Sequence, residues 1–173
     1  MEKKNHSIIT LHDLMIYELK KIADGELQLY KVLPMWINKA SLLKLKEVLK
    51  KYTENIHQQT EKLETFFREE GILQVTDLNE AMKAFIKETE CKINSCANTE
   101  VLDVCLLSSI QEINHYKISV YGTVTSFAHL LKKTKEAQLF HQAEIVEKHI
   151  DDRLSQLAEF EVNQKANIHI AFE

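Results

Sequence analysis

Apolar residues recur at helical spacing along residues 11–37, and a single carboxylate interrupts the stripe that they form. Spacings of three and four residues are typical of one buried face of an α-helix. The members of this face are Met15, Leu19, Ile22, Leu29, Leu33 and Ile37. Glu26 falls on the same face. If it is buried, it must be protonated, paired with a cation or bound to a metal, because an uncompensated charge in a core costs several kcal/mol. The alternative is that Glu26 lies at the edge of the stripe and reaches water.

Composition indicates an all-α protein. The 173 residues include three glycines and one proline, which is too few turn-forming residues for a protein of many short strands. This length suits one well-buried core, so we expect a single domain over residues 1–173.

Charge and motif content argue against several classes of function. The net charge is −4 with scattered lysines and arginines, which disfavours nucleic acid as a partner. The polar start MEKKNHS resembles no signal peptide or membrane span, so we expect a cytoplasmic protein without a membrane partner. The three cysteines form no strong zinc or redox signature, and no glycine-rich loop indicates a nucleotide site.

Four long helices and one short helix are predicted from periodicity and capping residues. Thr10 and Asp13 have the form of a capping box before the first helix, Ser41 can cap the second, and Asp77 with Glu80 resembles a box before the short helix. The predicted helical ranges are 11–40, 42–70, 77–90, 100–133 and 136–161. Gly122 lies inside the fourth of these ranges, which favours a close helix contact there.

Loop lengths predict how these helices are arranged. The short links at 41 and 134–135 favour two antiparallel helical hairpins, and the crossover at 71–99 is long enough to join them along the bundle. The predicted fold is therefore a ferritin-like four-helix bundle with a short fifth helix in the crossover. Residues 1–9 form an arm and residues 162–173 a tail without a helical stripe.

Carboxylates and histidines occur on all four long helices in a pattern that partly suits a di-iron or di-manganese site. Such sites commonly use one Glu from each of two helices and a Glu-x-x-His from each of the other two. The first helix supplies Glu26, and the second supplies Glu54 and His57. The third has Glu112 with His115, and the fourth has Glu144, Glu147 and Asp151. The alternative is a solvated face of i,i+3 and i,i+4 pairs, and it applies above all to Glu54, which lies nearly opposite the apolar stripe.

Four stretches of the chain, in order, resemble the YciE/YciF family of ferritin-like bacterial proteins. They are DLMIYELKKIADGELQLYKVLP, QQTEKLETFF, QEINHYKISVYGT and EKHIDDRLSQLA. The signature of the family resembles Gln-x-x-Glu-His-Tyr-x-Ile-x-x-Tyr-Gly-Thr, and the residues retained here are Gln111, His115, Tyr116, Ile118, Tyr121, Gly122 and Thr123. The resemblance implies a five-helix ferritin-like fold that forms a homodimer, an association with bacterial stress responses and a di-iron centre, without a defined reaction.

The sequence departs from this family at positions that would hold metal. Asn114 stands where the family has a Glu, Tyr52 where a His is common, and Val146 replaces one of two adjacent acids. Losing a carboxylate leaves two divalent ions less neutralised and weakens the second metal position most. We therefore expect a mononuclear or weak site, or none.

The leading hypothesis is a stress-associated, homodimeric protein that binds iron or manganese at partial occupancy. The candidate metal ligands are Glu26, Glu54, His57, His115, Glu147 and Asp151. The alternatives are a metal-free structural or interaction protein, and a di-iron oxidase or peroxide-detoxifying enzyme.

Overall fold

A computed structural model describes residues 8–72 and 78–168, and within those residues it contains helices and no β-strand. The helices are α1 (Leu11–Lys39), α2 (Leu43–Glu69), α3 (Glu80–Asn94), α4 (Thr99–Leu130) and α5 (Thr134–Leu157), followed by a π-helical turn (Ala158–Val162) and α6 (Asn163–Ile168). The prediction of an all-α chain with a short helix in the crossover is confirmed.

Helix α1 begins and ends close to the predicted residues. Thr10 Oγ1 accepts a hydrogen bond from Asp13 N at 3.0 Å, and Asp13 Oδ2 accepts one from Thr10 N at 2.9 Å, so the predicted capping box is present. The helix continues past Pro34 to Lys39. All six residues of the predicted stripe are buried.

The start of α2 differs from the prediction. The residue at the cap position is Leu42, which supplies no side-chain hydrogen bond, and Ser41 does not cap the helix. Instead, Asp103 of α4 accepts hydrogen bonds from Ser41 N at 2.8 Å, Ser41 Oγ at 2.6 Å and Leu42 N at 2.9 Å. Ser41 therefore donates to a buried carboxylate of another helix instead of accepting from the first turn of α2.

Helix α3 begins after Asn79 and extends beyond the predicted end at Glu90 to Asn94. Asn79 Oδ1 accepts a hydrogen bond from Met82 N at 2.9 Å, which is the N-cap geometry. Asn79 also binds α1, because its backbone N–H donates to Asp24 Oδ2 at 2.8 Å and its Nδ2 donates to Lys21 O at 2.9 Å. The predicted box at Asp77 lies outside the described residues.

The four long helices pack in a closed ring, in which α1 contacts α2 and α4, and α5 contacts α2 and α4. Helix α3 packs on α1 and α4. Gly122 of α4 lies close to α5, because a Cβ there would be 3.4 Å from the Glu144 carboxyl group. This arrangement is the predicted four-helix bundle of two hairpins.

The C-terminal part is more helical than predicted. Helix α5 ends at Leu157, before the predicted end at residue 161, and α6 covers residues 163–168 of the segment predicted to be a non-helical tail. The π-helical turn buries Val162, and Lys44 of α2 forms an ion pair with Glu161 in the same turn. These contacts with the bundle lie at the start of the C-terminal segment, whose own sequence has no apolar stripe. The rest of the predicted tail, residues 169–173, lies outside the described residues.

The apolar core is divided into two clusters. One is built around Met15, Leu19, Ile22, Phe66 and Phe140, and the other around Leu29, Leu33, Trp36, Ile56 and Ile113. Buried polar side chains from the four long helices occupy sequence positions between the two, namely Glu26, Gln59, Lys117 and Glu147. We call this group the polar layer.

Candidate functional site

Glu26 lies in the core rather than at the edge of the α1 stripe. None of its surface is exposed. Its Oε1 accepts a hydrogen bond from Tyr121 Oη at 2.8 Å, and its Oε2 forms an ion pair with Lys117 Nζ at 2.8 Å. The prediction that a buried Glu26 needs a compensating group is confirmed, and the compensating cation is an ammonium group of the chain itself.

Lys117 of α4 is the centre of the polar layer. Its side chain is fully buried, and its Nζ lies 2.8 Å from Glu26 Oε2, 2.8 Å from Glu147 Oε1 and 3.1 Å from Tyr52 Oη, to which it donates a hydrogen bond. The Tyr52 ring also faces the ammonium group, with its centroid 4.5 Å from Nζ. One cation is therefore held by residues of α1, α2 and α5.

Glu147 of α5 is oriented by a second residue of α4. Asn114 Nδ2 donates a hydrogen bond to Glu147 Oε2 at 2.7 Å and a longer one to Glu147 O at 3.2 Å. Both carboxylates of the layer thus share one pattern, in which one oxygen faces the Lys117 ammonium and the other accepts from a neutral donor. Asn114, which departs from the family signature, has a direct structural role here.

Burial and charge together set the protonation of the polar layer. Burial alone lowers the pKa of Lys117, but the negative charges of Glu147 and Glu26 outweigh burial and hold that pKa well above its usual value. Burial raises the pKa of Glu147 and nearby Glu26 raises it further, whereas Lys117 opposes the rise. Burial also raises the pKa values of the Tyr52 and Tyr121 phenols, so both stay neutral hydrogen-bonding groups.

Glu54 and His57 of α2 face solvent, away from Lys117. Glu54 pairs with Lys51 at 3.1 Å, and both side chains are well exposed. His57 stacks on the Tyr30 ring, with 5.9 Å between centroids, and lies 3.6 Å from Glu61 Oε1. The structure does not bring these two candidates together with Glu26.

His115 and Asp151 form a separate pair between α4 and α5. His115 Nε2 lies 3.2 Å from Asp151 Oδ1, and the His115 side chain is mostly exposed. Of the six candidate ligands, the structure thus joins Glu26 with Glu147 through Lys117, and His115 with Asp151 at the surface. Their assignment as metal ligands stays a prediction.

The polar layer does not fit a divalent metal ion. The position between Glu26 and Glu147 is filled by the Lys117 ammonium, and a metal there would face a cation instead of an oxygen or nitrogen ligand. Asn114 contributes an N–H donor toward Glu147, whereas a metal site needs electron-pair donors. Across residues 8–72 and 78–168, no three His, Cys, Asp or Glu side chains form a group that could hold a metal.

Sequence reasoning missed Lys117, although a signal for it was present. Lys117 follows Ile113 by four residues and precedes Tyr121 by four, so it falls on an apolar stripe as Glu26 does on α1. Two ionisable residues of opposite charge that each interrupt a buried stripe predict a buried ion pair. The family signature leaves this position unspecified.

Comparison with known proteins places the chain in a family. Residues 10–167 match the family described as "Domain of unknown function (DUF892)". The Escherichia coli K12 protein YciF is 31% identical over 158 residues, which cover 91% of this chain and 95% of YciF.

Two solved structures share the fold. The crystal structure of the E. coli stress protein YciF has a TM-score of 0.84 and 30% identity, and the match covers 90% of this chain and 99% of that one. YcfI of Rhodopseudomonas palustris, described as "a putative structural protein", has a TM-score of 0.84 and 27% identity, with 88% of this chain and 98% of that one covered. Among the described helices, none has both the length and the apolar character to cross a bilayer. The chain therefore belongs to the DUF892 family and is similar to YciF, with a helical bundle whose polar layer contains a lysine.

Proposed function

We propose that this chain is a metal-free structural protein of the stress-associated, YciF-like type. The observation that carries the proposal is the Lys117 ammonium, which lies 2.8 Å from the carboxylate oxygens of both Glu26 and Glu147. These carboxylates are the two metal-ligand candidates that face the core. The description of the R. palustris relative as "a putative structural protein", and of YciF as a stress protein, supports the same assignment.

Burial of the polar layer also favours a structural role over catalysis. Glu26 and Lys117 are fully buried, and Glu147 is 2% exposed. A di-iron oxidase needs an open coordination position that an oxidant can reach. Tightly packed ion pairs instead favour a single arrangement of the helices that contribute them. The di-iron oxidase and the partially occupied iron site are therefore the less favoured hypotheses.

The decisive experiment is metal loading of the wild-type protein. We expect purified protein incubated anaerobically with Fe(II) or Mn(II) and then desalted to retain much less than one metal per chain. Its melting temperature is expected to be the same in Fe(II) and in EDTA, because a ligand of the native state would raise it. A designed di-iron four-helix bundle, loaded in parallel, is the positive control. Retention of about two metals per chain, lost in Glu26→Ala, would overturn the proposal.

We also propose that the protein acts as a cytoplasmic homodimer. The free thiols of Cys91, Cys96 and Cys105 suit a reducing compartment. Leu27, Tyr30 and Met35 of α1 are each about 40% exposed and give this helix an apolar outer side that suits a second copy.

Light scattering after size-exclusion chromatography tests the assembly. We expect the mass of a dimer for the wild type and of a monomer for Leu27→Lys. Leu130→Lys, at an exposed position outside α1, is the control and is expected to stay dimeric. A monomeric wild type at micromolar concentration would refute the homodimer.

A further inference from the structure

The Lys117 ammonium has an environment that resembles a binding site for a small cation. Three oxygen atoms surround Nζ, from Glu26 and Glu147 at 2.8 Å and from Tyr52 at 3.1 Å. Lys117 Nζ donates a hydrogen bond to Tyr52, and its contacts with the two carboxylates are ion pairs. The contact with Glu26 Oε2 is an ion pair without hydrogen-bond geometry, and the Tyr52 ring adds a cation–π contact.

A second set of residues fixes the oxygens that surround this cation. Tyr121 donates to Glu26 Oε1 at 2.8 Å, and Asn114 donates to Glu147 Oε2 at 2.7 Å. Each carboxylate is therefore held by a neutral donor on α4 that does not depend on the lysine. We call the group Glu26, Tyr52, Asn114, Tyr121 and Glu147 the cage.

The charge of the cage requires a cation. With both carboxylates ionised, the cage carries two negative charges, and both side chains are buried. Lys117 neutralises one of them, and the other stays buried without a second cation; burial and the charge of Glu26 accordingly raise the pKa of Glu147. Without the ammonium, two adjacent buried carboxylates would face each other across the core.

We propose that the cage is a preformed site for a primary ammonium ion and that Lys117 serves as its permanently tethered ligand. This inference rests on the metal-free function proposed above. It extends that function, because Lys117 then supplies the cation that balances the two buried carboxylates and no external ion is needed. Shortening Lys117 to alanine removes the atoms from Cγ to Nζ, which together correspond to n-propylammonium. The chemical class of ligand for the shortened chain is thus an unbranched alkylammonium.

Chemical rescue tests this inference on the full chain. Thermal unfolding of Lys117→Ala is measured at pH 7 with n-propylammonium chloride, with sodium chloride at equal ionic strength, and with 1-propanol. We expect propylammonium at saturation to raise the midpoint by about 5 °C or more, and the other two additives to have little effect. Lys117→Met fills the same space with an apolar chain, so neither this variant nor the wild type is expected to respond. If Lys117→Ala fails to fold, Lys117→Ala/Glu147→Gln replaces it, since the single remaining carboxylate still needs one cation.

Each other result would overturn the inference. Equal stabilisation by 1-propanol would show that the vacated space recognises an apolar chain and not a charge. Stronger stabilisation by Mn(II) than by propylammonium would show that the cage prefers a metal ion. No stabilisation of either variant would show that the cage does not bind a free cation. These results concern the variants, whereas the metal-free function is refuted by metal retained in the wild type, so the two failures are distinguishable.

Discussion

At the scale of single residues, the stability of the core depends on one lysine. Removing one partner of a buried ion pair leaves an uncompensated charge and costs about 3–5 kcal/mol, whereas removing all partners together can cost little. Lys117 is the partner of two carboxylates, so its loss affects both Glu26 and Glu147.

We expect Lys117→Met to lower the free energy of unfolding at pH 7 by about 3–5 kcal/mol, measured by urea denaturation. Lys83→Met is the control, because Lys83 is exposed on α3 and pairs with the exposed Glu80 of the same helix, so a change within about 0.5 kcal/mol is expected. The triple variant Lys117→Met/Glu26→Gln/Glu147→Gln should recover much of the loss. Equal effects of the two single lysine substitutions would contradict this account.

Burial should also protect Lys117 from chemistry at its amino group. Reductive methylation of the native protein, followed by peptide mass spectrometry, is expected to modify the exposed Lys51 and Lys83 and to leave Lys117 unmodified. After unfolding in urea, Lys117 should react like the others. Rapid methylation of Lys117 in the native state would show that the polar layer opens readily.

At the scale of helices and loops, two contacts hold adjacent elements in place. Asp103 on α4 is 4% exposed and accepts three hydrogen bonds from Ser41 and Leu42, which fixes the link between α1 and α2. Gly25 on α1 permits the close approach of α3, because a Cβ there would be 2.7 Å from Asn79 Nδ2.

Asp103→Ala is predicted to destabilise the protein by about 1–3 kcal/mol, because it removes the charged acceptor of three hydrogen bonds from Ser41 and Leu42. The measurement is the midpoint of urea unfolding. Asp152→Ala, at an exposed position on α5, is the matched control and should change stability by less than about 0.5 kcal/mol. A cost no larger than that of the control would mean that water replaces the carboxylate.

The two helical glycines should respond in opposite ways to alanine. Gly25→Ala is expected to destabilise by about 1–3 kcal/mol, because Asn79 is held by the N-cap of α3 and cannot yield freely. Gly122→Ala should be neutral or stabilising by up to about 1 kcal/mol, because its Cβ would be 3.4 Å from the Glu144 carboxyl group, which is an ordinary van der Waals contact. Thermal melts of both variants test this difference, and equal destabilisation would refute it.

At the scale of the whole molecule, the contacts of Lys117 with Glu26, Tyr52 and Glu147 connect all four long helices. The charge of the polar layer also gives stability a pH dependence. The pKa of Glu147 is raised in the folded state, so the stability that this group contributes is greatest below pH 4.5 and is lost as the pH rises through the folded pKa.

Glu70 affects the pH dependence of stability in the opposite direction, because its pKa is lowered in the folded state. Burial raises its pKa, but hydrogen bonds from Lys133 and His12 outweigh burial and lower it, so its contribution is present above pH 4.5 and is lost in more acidic solution.

Variants of these two glutamates should separate the two pH effects. Glu147→Gln is expected to gain stability relative to the wild type as the pH rises from 4.5, because the amide carries no charge to bury. Glu70→Gln is expected to lose stability at neutral pH and to approach the wild type as the pH falls below 4.5. Urea unfolding across this pH range measures both differences, and parallel curves for all three proteins would contradict the assignment.

The sequence by itself determined the four long helices and the short helix of the crossover, but not α6. Residues spaced by three and four give each helix a face that must leave water, so the α1 stripe follows from local periodicity, and its capping box follows from Thr10 and Asp13. The stripe placed Glu26 either in the core or at its edge, and the structure decided for the core. The same periodicity indicates that Lys117 is buried, although the family signature does not specify that position.

Only the tertiary structure decided which of these residues meet. Lys117 pairs with carboxylates on α1 and α5, and Asp103 of α4 binds the link before α2, so each contact joins helices that are distant in sequence. Such contacts depend on the axial offset and rotation of one packed helix against another, which periodicity within a single helix does not encode. For this reason the sequence could say only that Glu26 needs a partner if it is buried, and the packing of α4 against α1 buried it beside a lysine.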